Sequence, residues 1–131
     1  MKESVGQIRV DREEIQRAAK YLRDARPADI LAWGVKRFGA RRIVLACSFG
    51  AEDVALVDML QGIDPEVDIF YLDTDLHFAE TYQTRDRLTE RYGKRFIRVS
   101  PELTLEEQAK IRGERLWERD PNLCCRLRKV E

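Results

Sequence analysis

Three short segments of the 131-residue chain combine residue types that can do chemistry. The first is Ser48-Phe49-Gly50-Ala51-Glu52-Asp53. A hydroxyl, a glycine that lets the backbone come close, and N–H groups at a helix start make an anion cradle. The same residues also suit an ordinary strand-to-helix turn, with Ser48 as cap and Glu52 and Asp53 favoured in the first helical turn. The second segment is Leu72-Asp73-Thr74-Asp75, where polar acceptors follow an apolar run. It could read the edge of an adenine or a ribose, or be a plain polar turn. The third is Cys124-Cys125-Arg126-Leu127-Arg128-Lys129. Neighbouring cations favour the thiolate, the form that metals require. Two thiolates are half of a four-cysteine iron–sulfur or zinc site. The alternative is a pair of small buried residues at a helix start. Cys47 ends an apolar run and reads as inert packing. His77, the only histidine, reads as a surface or capping residue rather than a base.

The elements that must position these segments alternate helix and strand. Ile15, Ala18, Ala19 and Leu22 predict a helix from Asp11 to about Arg23. Pro27 opens a second, with Ile30, Leu31, Val35 and Phe38 facing inward and Gly39 as its stop. These two are expected to form a layer against the sheet. Apolar runs at 43–46, 69–72 and 96–99 read as buried parallel strands, joined by helices over Glu52 to Gln61 and Phe78 to Tyr92. Thr104 and Glu107 form a capping box for a later helix closing at Gly113, and Asp120-Pro121 breaks the chain before the cysteines. The fold class is therefore α/β, a parallel sheet with flanking helices, in a single domain spanning 1–131. Within it, helices occupy 1–40, a βαβαβ core 41–100, and a helix plus the tandem cysteines 101–131. In such sheets ligands bind beyond the carboxyl ends of the strands, where the first two segments fall.

Composition narrows the function. Twenty-four basic residues balance 24 acidic ones, which argues against an extended nucleic-acid footprint. No apolar run approaches the roughly 18 residues of a membrane helix. The N-terminus lacks a signal-peptide pattern, so the cytoplasm is expected, where three cysteines stay reduced and form no disulfide framework.

Taken in order, the three motifs resemble the assimilatory adenylyl-sulfate reductases, sisters of the phosphoadenylyl-sulfate reductases. Both have the ATP-pyrophosphatase-like fold of the adenine nucleotide alpha hydrolases. Ser48 to Asp53 is similar to the family's modified pyrophosphate loop. Leu72-Asp73-Thr74 with Phe78-Ala79-Glu80-Thr81-Tyr82 is similar to its Leu-Asp-Thr-Gly…Phe-Pro-Glu-Thr-Tyr block, with Asp75 and Ala79 departing from it. An extra carboxylate at Asp75 must point away from an anionic nucleotide or be paired. The resemblance implies nucleotide binding by Ser48, Phe49, Gly50, Ala51, Glu52, Asp53, Leu72, Asp73 and Thr74. It places Arg128 and Lys129 near the substrate sulfate, and makes Cys124 and Cys125 two of four ligands to a 4Fe–4S cluster.

The implied activity is thioredoxin-dependent reduction of adenylyl sulfate to sulfite and AMP. Because the tandem cysteines are generally lacking from members restricted to phosphoadenylyl sulfate, they point to adenylyl sulfate. The family's nucleophile is a tail cysteine beyond a second Cys-x-x-Cys pair; neither lies in this sequence, which looks like an N-terminal fragment with no catalytic residue of its own. In the family the first strand is central, so 43–46 is expected to have one open edge, or an edge covered by another chain in a homo-oligomer. The competing readings are a phosphoadenylyl-sulfate reductase, an ATP pyrophosphatase, and a non-catalytic nucleotide-binding module. Against the pyrophosphatase, Phe49 and Asp53 replace a glycine and a hydroxyl of its loop.

Overall fold

A computed structural model describes residues 6–131. Three parallel strands, β1 (Val44–Ala46), β2 (Asp68–Leu72) and β3 (Ile97–Val99), lie in the order β1-β2-β3. The crossovers are α3 (Ala51–Ile63) and α4 (Ala79–Tyr92). Before them come α1 (Arg12–Leu22) and α2 (Pro27–Phe38), and after them α5 (Leu105–Arg112), α6 (Leu116–Arg119) and α7 (Pro121–Lys129). The α/β class and parallel sheet match the sequence reading. Among the described residues β1 has a strand on one side only, as the resemblance implies. No helix among them is long and apolar enough to cross a membrane.

The strand register explains the core. Leu45 pairs with Ile69 and Tyr71 with Arg98, so these four share one face. On that face Ile69 and Tyr71 pack with Val57 of α3, Leu88 of α4, Cys47 and Phe96. Val44, Ala46, Phe70, Leu72, Ile97 and Val99 share the other face. There Val44 is 59% exposed, against 0% for Ile69.

Local signals set the helix ends. Asp11 caps α1 by accepting from the Glu14 N–H at 2.7 Å. Thr104 and Glu107 complete the capping box of α5, at 3.1 and 2.8 Å. Gly113 then turns the chain at φ +87°, where a Cβ would stand 2.7 Å from the Arg119 guanidinium.

The structure departs from the sequence reading in four places. α1 and α2, expected to face inward along one side, contain no fully buried residue: α2 packs on α3, and Ile15 of α1 remains exposed. Glu14 joins α1 to α2 through a charged pair with Arg37, with Oε2 3.0 Å from Nη2. Ile43 and Phe96 flank their strands rather than belong to them. Asp120-Pro121 is a helix start rather than a break. Asp120 accepts from the Leu123 N–H at 3.0 Å, and proline sits at the first helical position, where its missing N–H costs nothing. Both cysteines thereby become helical, preceded by the unforeseen α6.

Candidate functional site

The loop leaving β1 is organised by one carboxylate. Asp53, in the first turn of α3, accepts from both the Ser48 N–H and the Ser48 Oγ, each at 2.6 Å. These bonds hold its carboxyl below the ordinary range. Ser48 Oγ in turn accepts from the Gly50 N–H at 3.3 Å. The first long bond of α3 runs from Val54 N–H to Gly50 O, so the N–H groups of Ala51, Glu52 and Asp53 have no acceptor inside the helix. The turn therefore presents backbone donors at a helix N-terminus while its own carboxylate occupies part of the cradle.

Phe49 has φ +62°, a backbone region that costs a bulky side chain energy. Its ring is turned into the core, edge-on to Tyr71 and Phe96 at centroid distances of 5.3 and 5.5 Å. The ring thereby anchors the loop, and Phe49, which the resemblance placed among the nucleotide contacts, also lines the strand-end cleft. Cys47 is buried, and burial pushes its thiol up, consistent with inert packing.

Asp73 is the hub at the end of β2. Its backbone N–H donates to Val99 O at 2.9 Å, and its buried carboxylate accepts from Tyr82 Oη (2.6 Å), Arg98 Nε (2.7 Å) and the Asp75 N–H (3.0 Å). Burial works against the charge, but Arg98 and Tyr82 outweigh it and hold the carboxyl down at about 2. Burial and the same contact push the Tyr82 hydroxyl up to about 12. Asp73 is thus a structural acceptor with its lone pairs engaged. Asp75, at φ +60°, is paired on both sides, with Arg98 Nη2 at 3.0 Å and Arg128 Nη2 at 2.9 Å. This resolves the apparent conflict of an extra carboxylate beside an anion site. Tyr82 stood in the sequence block but was given no role, and Arg98 was missed. A lone arginine in an apolar strand, one strand away from an aspartate, was the available signal.

His77 Nε2 lies 2.9 Å from Leu72 O, so Nε2 carries the hydrogen and donates to the carbonyl. The histidine thus pins the start of α4 to the end of β2 and occupies one lone pair of the carbonyl at the rim.

These segments enclose a cleft of about 270 Å³ at the strand ends. Ala46, Phe70 and Leu72 form an apolar floor, and Ser48, Asp53, His77 and Lys129 stand around it. Lys129 is the last residue of α7, far along the chain from the other lining residues. The lysine therefore closes the cleft only through tertiary structure.

Arg128 faces the other way. The resemblance set it near the substrate sulfate, but it is buried, with Nε donating to Thr74 O at 3.0 Å, Nη1 to Leu103 O and Nη2 to Asp75. It ties α7 to the end of β2.

The tandem cysteines diverge. Successive residues on a helix point about 100° apart. Cys124 is buried, with Gln108 Nε2 3.8 Å from its sulfur, while Cys125 is exposed. Both cysteines nevertheless line one second cleft of about 280 Å³, with Thr74, Leu76, His77, Trp117, Arg128 and Lys129. Cys47 is buried in the sheet core. Among the described residues, no group of three or more His, Cys, Asp or Glu side chains could hold a metal ion. This donor set does not fit the expected 4Fe–4S cluster, which corrects the reading of Cys124 and Cys125 as its ligands.

Comparison with known proteins shows the family and the fold. Residues 42–131 match the phosphoadenosine phosphosulfate reductase domain family. An adenosine 5'-phosphosulfate reductase of Halalkalibacterium halodurans is 48% identical over 103 residues, 78% of this chain and 44% of that protein. Its counterpart from Geobacillus thermodenitrificans is 50% identical over 103 residues, again 78% of this chain and 43% of that protein. The chain thus spans less than half the length of these relatives. The crystal structure of phosphoadenylyl-sulfate reductase from Candida auris, a phosphate complex, superposes with a TM-score of 0.80 at 30% identity, covering 95% of this chain and 61% of that one. The chain belongs to the phosphoadenosine phosphosulfate reductase family.

Proposed function

We propose that this chain supplies the nucleotide-holding part of a sulfonucleotide reductase, which releases sulfite from an adenylylated sulfate with thioredoxin as reductant. The observation that carries the reading is the strand-end cleft, which combines an apolar floor, backbone donors at a helix start and one lysine. A purine fits the floor of Ala46, Phe70 and Leu72. The phosphate meets the N–H groups of Ala51, Glu52 and Asp53, and Lys129 faces the negative charge. To admit that phosphate, the Asp53 carboxylate must rotate off Ser48, which frees two further donors.

In this reaction a cysteine thiolate attacks the sulfur, the bond to the nucleotide phosphate breaks, and AMP or its 3'-phosphate leaves. Thioredoxin's dithiol then releases sulfite, restores the cysteine thiol and becomes a disulfide, supplying both electrons. The family resemblance gives the attacking thiolate to a tail cysteine outside these residues, and Cys47 and Cys124 are too buried to replace it.

Two substrates fit the class. Phosphoadenylyl sulfate is favoured by the matched domain family and the solved relative. Adenylyl sulfate is favoured by the names of the relatives at 48% and 50% identity. The tandem cysteines, lacking a cluster site, do not separate the two. Calorimetric titration with AMP and with adenosine 3',5'-bisphosphate tests the reading. Both should bind at the cleft, and the one bound more tightly identifies the substrate form. Gly50→Val should weaken binding about tenfold or more, because the new side chain would crowd Ser48 Oγ, 3.3 Å from the Cβ position. Unchanged affinity in that variant would sink the assignment.

A further inference from the structure

A second charged feature lies between α4 and β3. Arg85, Arg95 and Arg98 line an open groove of about 610 Å³ with Tyr71, Thr89, Phe96 and Ile97, and no carboxylate is among its lining residues. In a chain whose formal charges cancel, this is a local excess of cations. Two of the three are partly neutralised from outside the groove: Arg85 by Asp86 at 2.9 Å, Arg98 by Asp73 and Asp75. Arg95 stands exposed. Arg85 also donates to Tyr71 Oη at 3.0 Å, which leaves the Tyr71 hydroxyl hydrogen available to an acceptor.

The groove borders the free edge of β3. Val99 O accepts from Asp73 N–H, so Val99 turns its backbone towards β2. Alternation along a strand then directs the N–H and C=O of Arg98 outward, away from β2. Among the described residues no strand pairs with that edge. An open edge offering one backbone donor and acceptor beside three guanidinium groups suits an extended chain bearing carboxylates. Its backbone would join the edge, and its side chains would meet the arginines.

We propose that the groove between α4 and β3 is a docking site for an acidic, extended segment of a partner protein. It shares only Tyr71 with the lining of the nucleotide cleft and does not depend on the reading of that cleft. An open groove of this kind holds a short segment weakly, with an affinity that salt reduces.

The test is an NMR titration of the 131-residue chain with a blocked hexaglutamate peptide, with hexaglutamine and inorganic phosphate as controls. Hexaglutamate should shift the amides of Arg85, Thr89 and Arg95 to Val99, and slow exchange of the Arg98 N–H. Hexaglutamine should not. Arg95→Glu should weaken the peptide about tenfold while AMP binding stays unchanged, and Arg95→Lys should retain most of the peptide affinity. The proposal is overturned if the shifts centre on Ser48 to Asp53, if Arg95→Glu has no effect, or if phosphate alone reproduces the pattern. Absence of hexaglutamate binding would overturn it as well. Loss of AMP binding with retained peptide shifts would count against the nucleotide cleft alone.

Discussion

On one face of the sheet, Ile69 and Tyr71 lie beneath α3 and α4; on the other, Val44, Ile97 and Val99 stand open to solvent. Both faces carry apolar residues from the same three strands. The difference lies in what each strand is connected to: α3 and α4 pack on one face through Val57 and Leu88, and the opposite face keeps Val44, Ile97 and Val99 exposed. Parallel sheets are ordinarily covered on both faces. Strand composition therefore reports a preference for burial, whereas burial itself depends on the elements that arrive to cover the strand.

The largest effect should come from the covered face. Ile69→Ala removes a fully buried side chain among Val57, Leu88 and Phe96, and should destabilise the chain by about 2–5 kcal/mol. Val44→Ala, on the open face, should change stability by less than about 1 kcal/mol. Urea unfolding of the two variants measures the contrast, and equal losses would break it.

Much of the fold was legible beforehand because these strands are short apolar runs bounded by helices, and because the capping box at Thr104 is a local signal. The site was only partly legible. Ser48 to Asp53 leaves β1 where expected, but that Phe49 would pack on Tyr71 and Phe96 and that Arg128 would be buried was not legible. The burial of Arg128 depends on Thr74 and Leu103, residues remote in sequence, which no local pattern can report.

A second, intermediate effect concerns the hub between the faces. The Asp73 carboxyl, at about 2, lies below its ordinary value of 3.8. A depressed acid contributes stability that is complete above the unfolded value and is lost as pH falls through the folded one. Stability should therefore fall between about pH 4 and pH 2. Asp73→Asn should flatten that part of the profile and lower stability at neutral pH, because the Arg98 contact loses its charge. An unchanged acid limb in the variant would show that Asp73 does not govern it.

The open face and the free edge of β1 predict a further property, concentration-dependent association. Sedimentation velocity should show larger species as concentration rises, and Val44→Lys should suppress them. The smallest expected effect is on dye binding. An apolar-surface dye should bind the open face, and Ile97→Thr should reduce its signal with little change in stability. Equal dye binding by both proteins would show that Ile97 is not part of the exposed apolar surface.

The sequence by itself determined where the three strands and most of the helices occur, and how several helices begin. These are properties of backbone periodicity and of capping over three or four residues. Tertiary structure alone decided which groups remain available to a ligand. Asp53 occupies Ser48, Tyr82 and Arg98 take up Asp73, and Lys129 reaches the cleft from α7. It also decided that Cys124 and Cys125 differ in exposure though both line one cleft, and that no third donor joins them among the described residues. Adjacency in sequence fixes a pair of side chains on the same helical turn, and only packing determines what each of them faces.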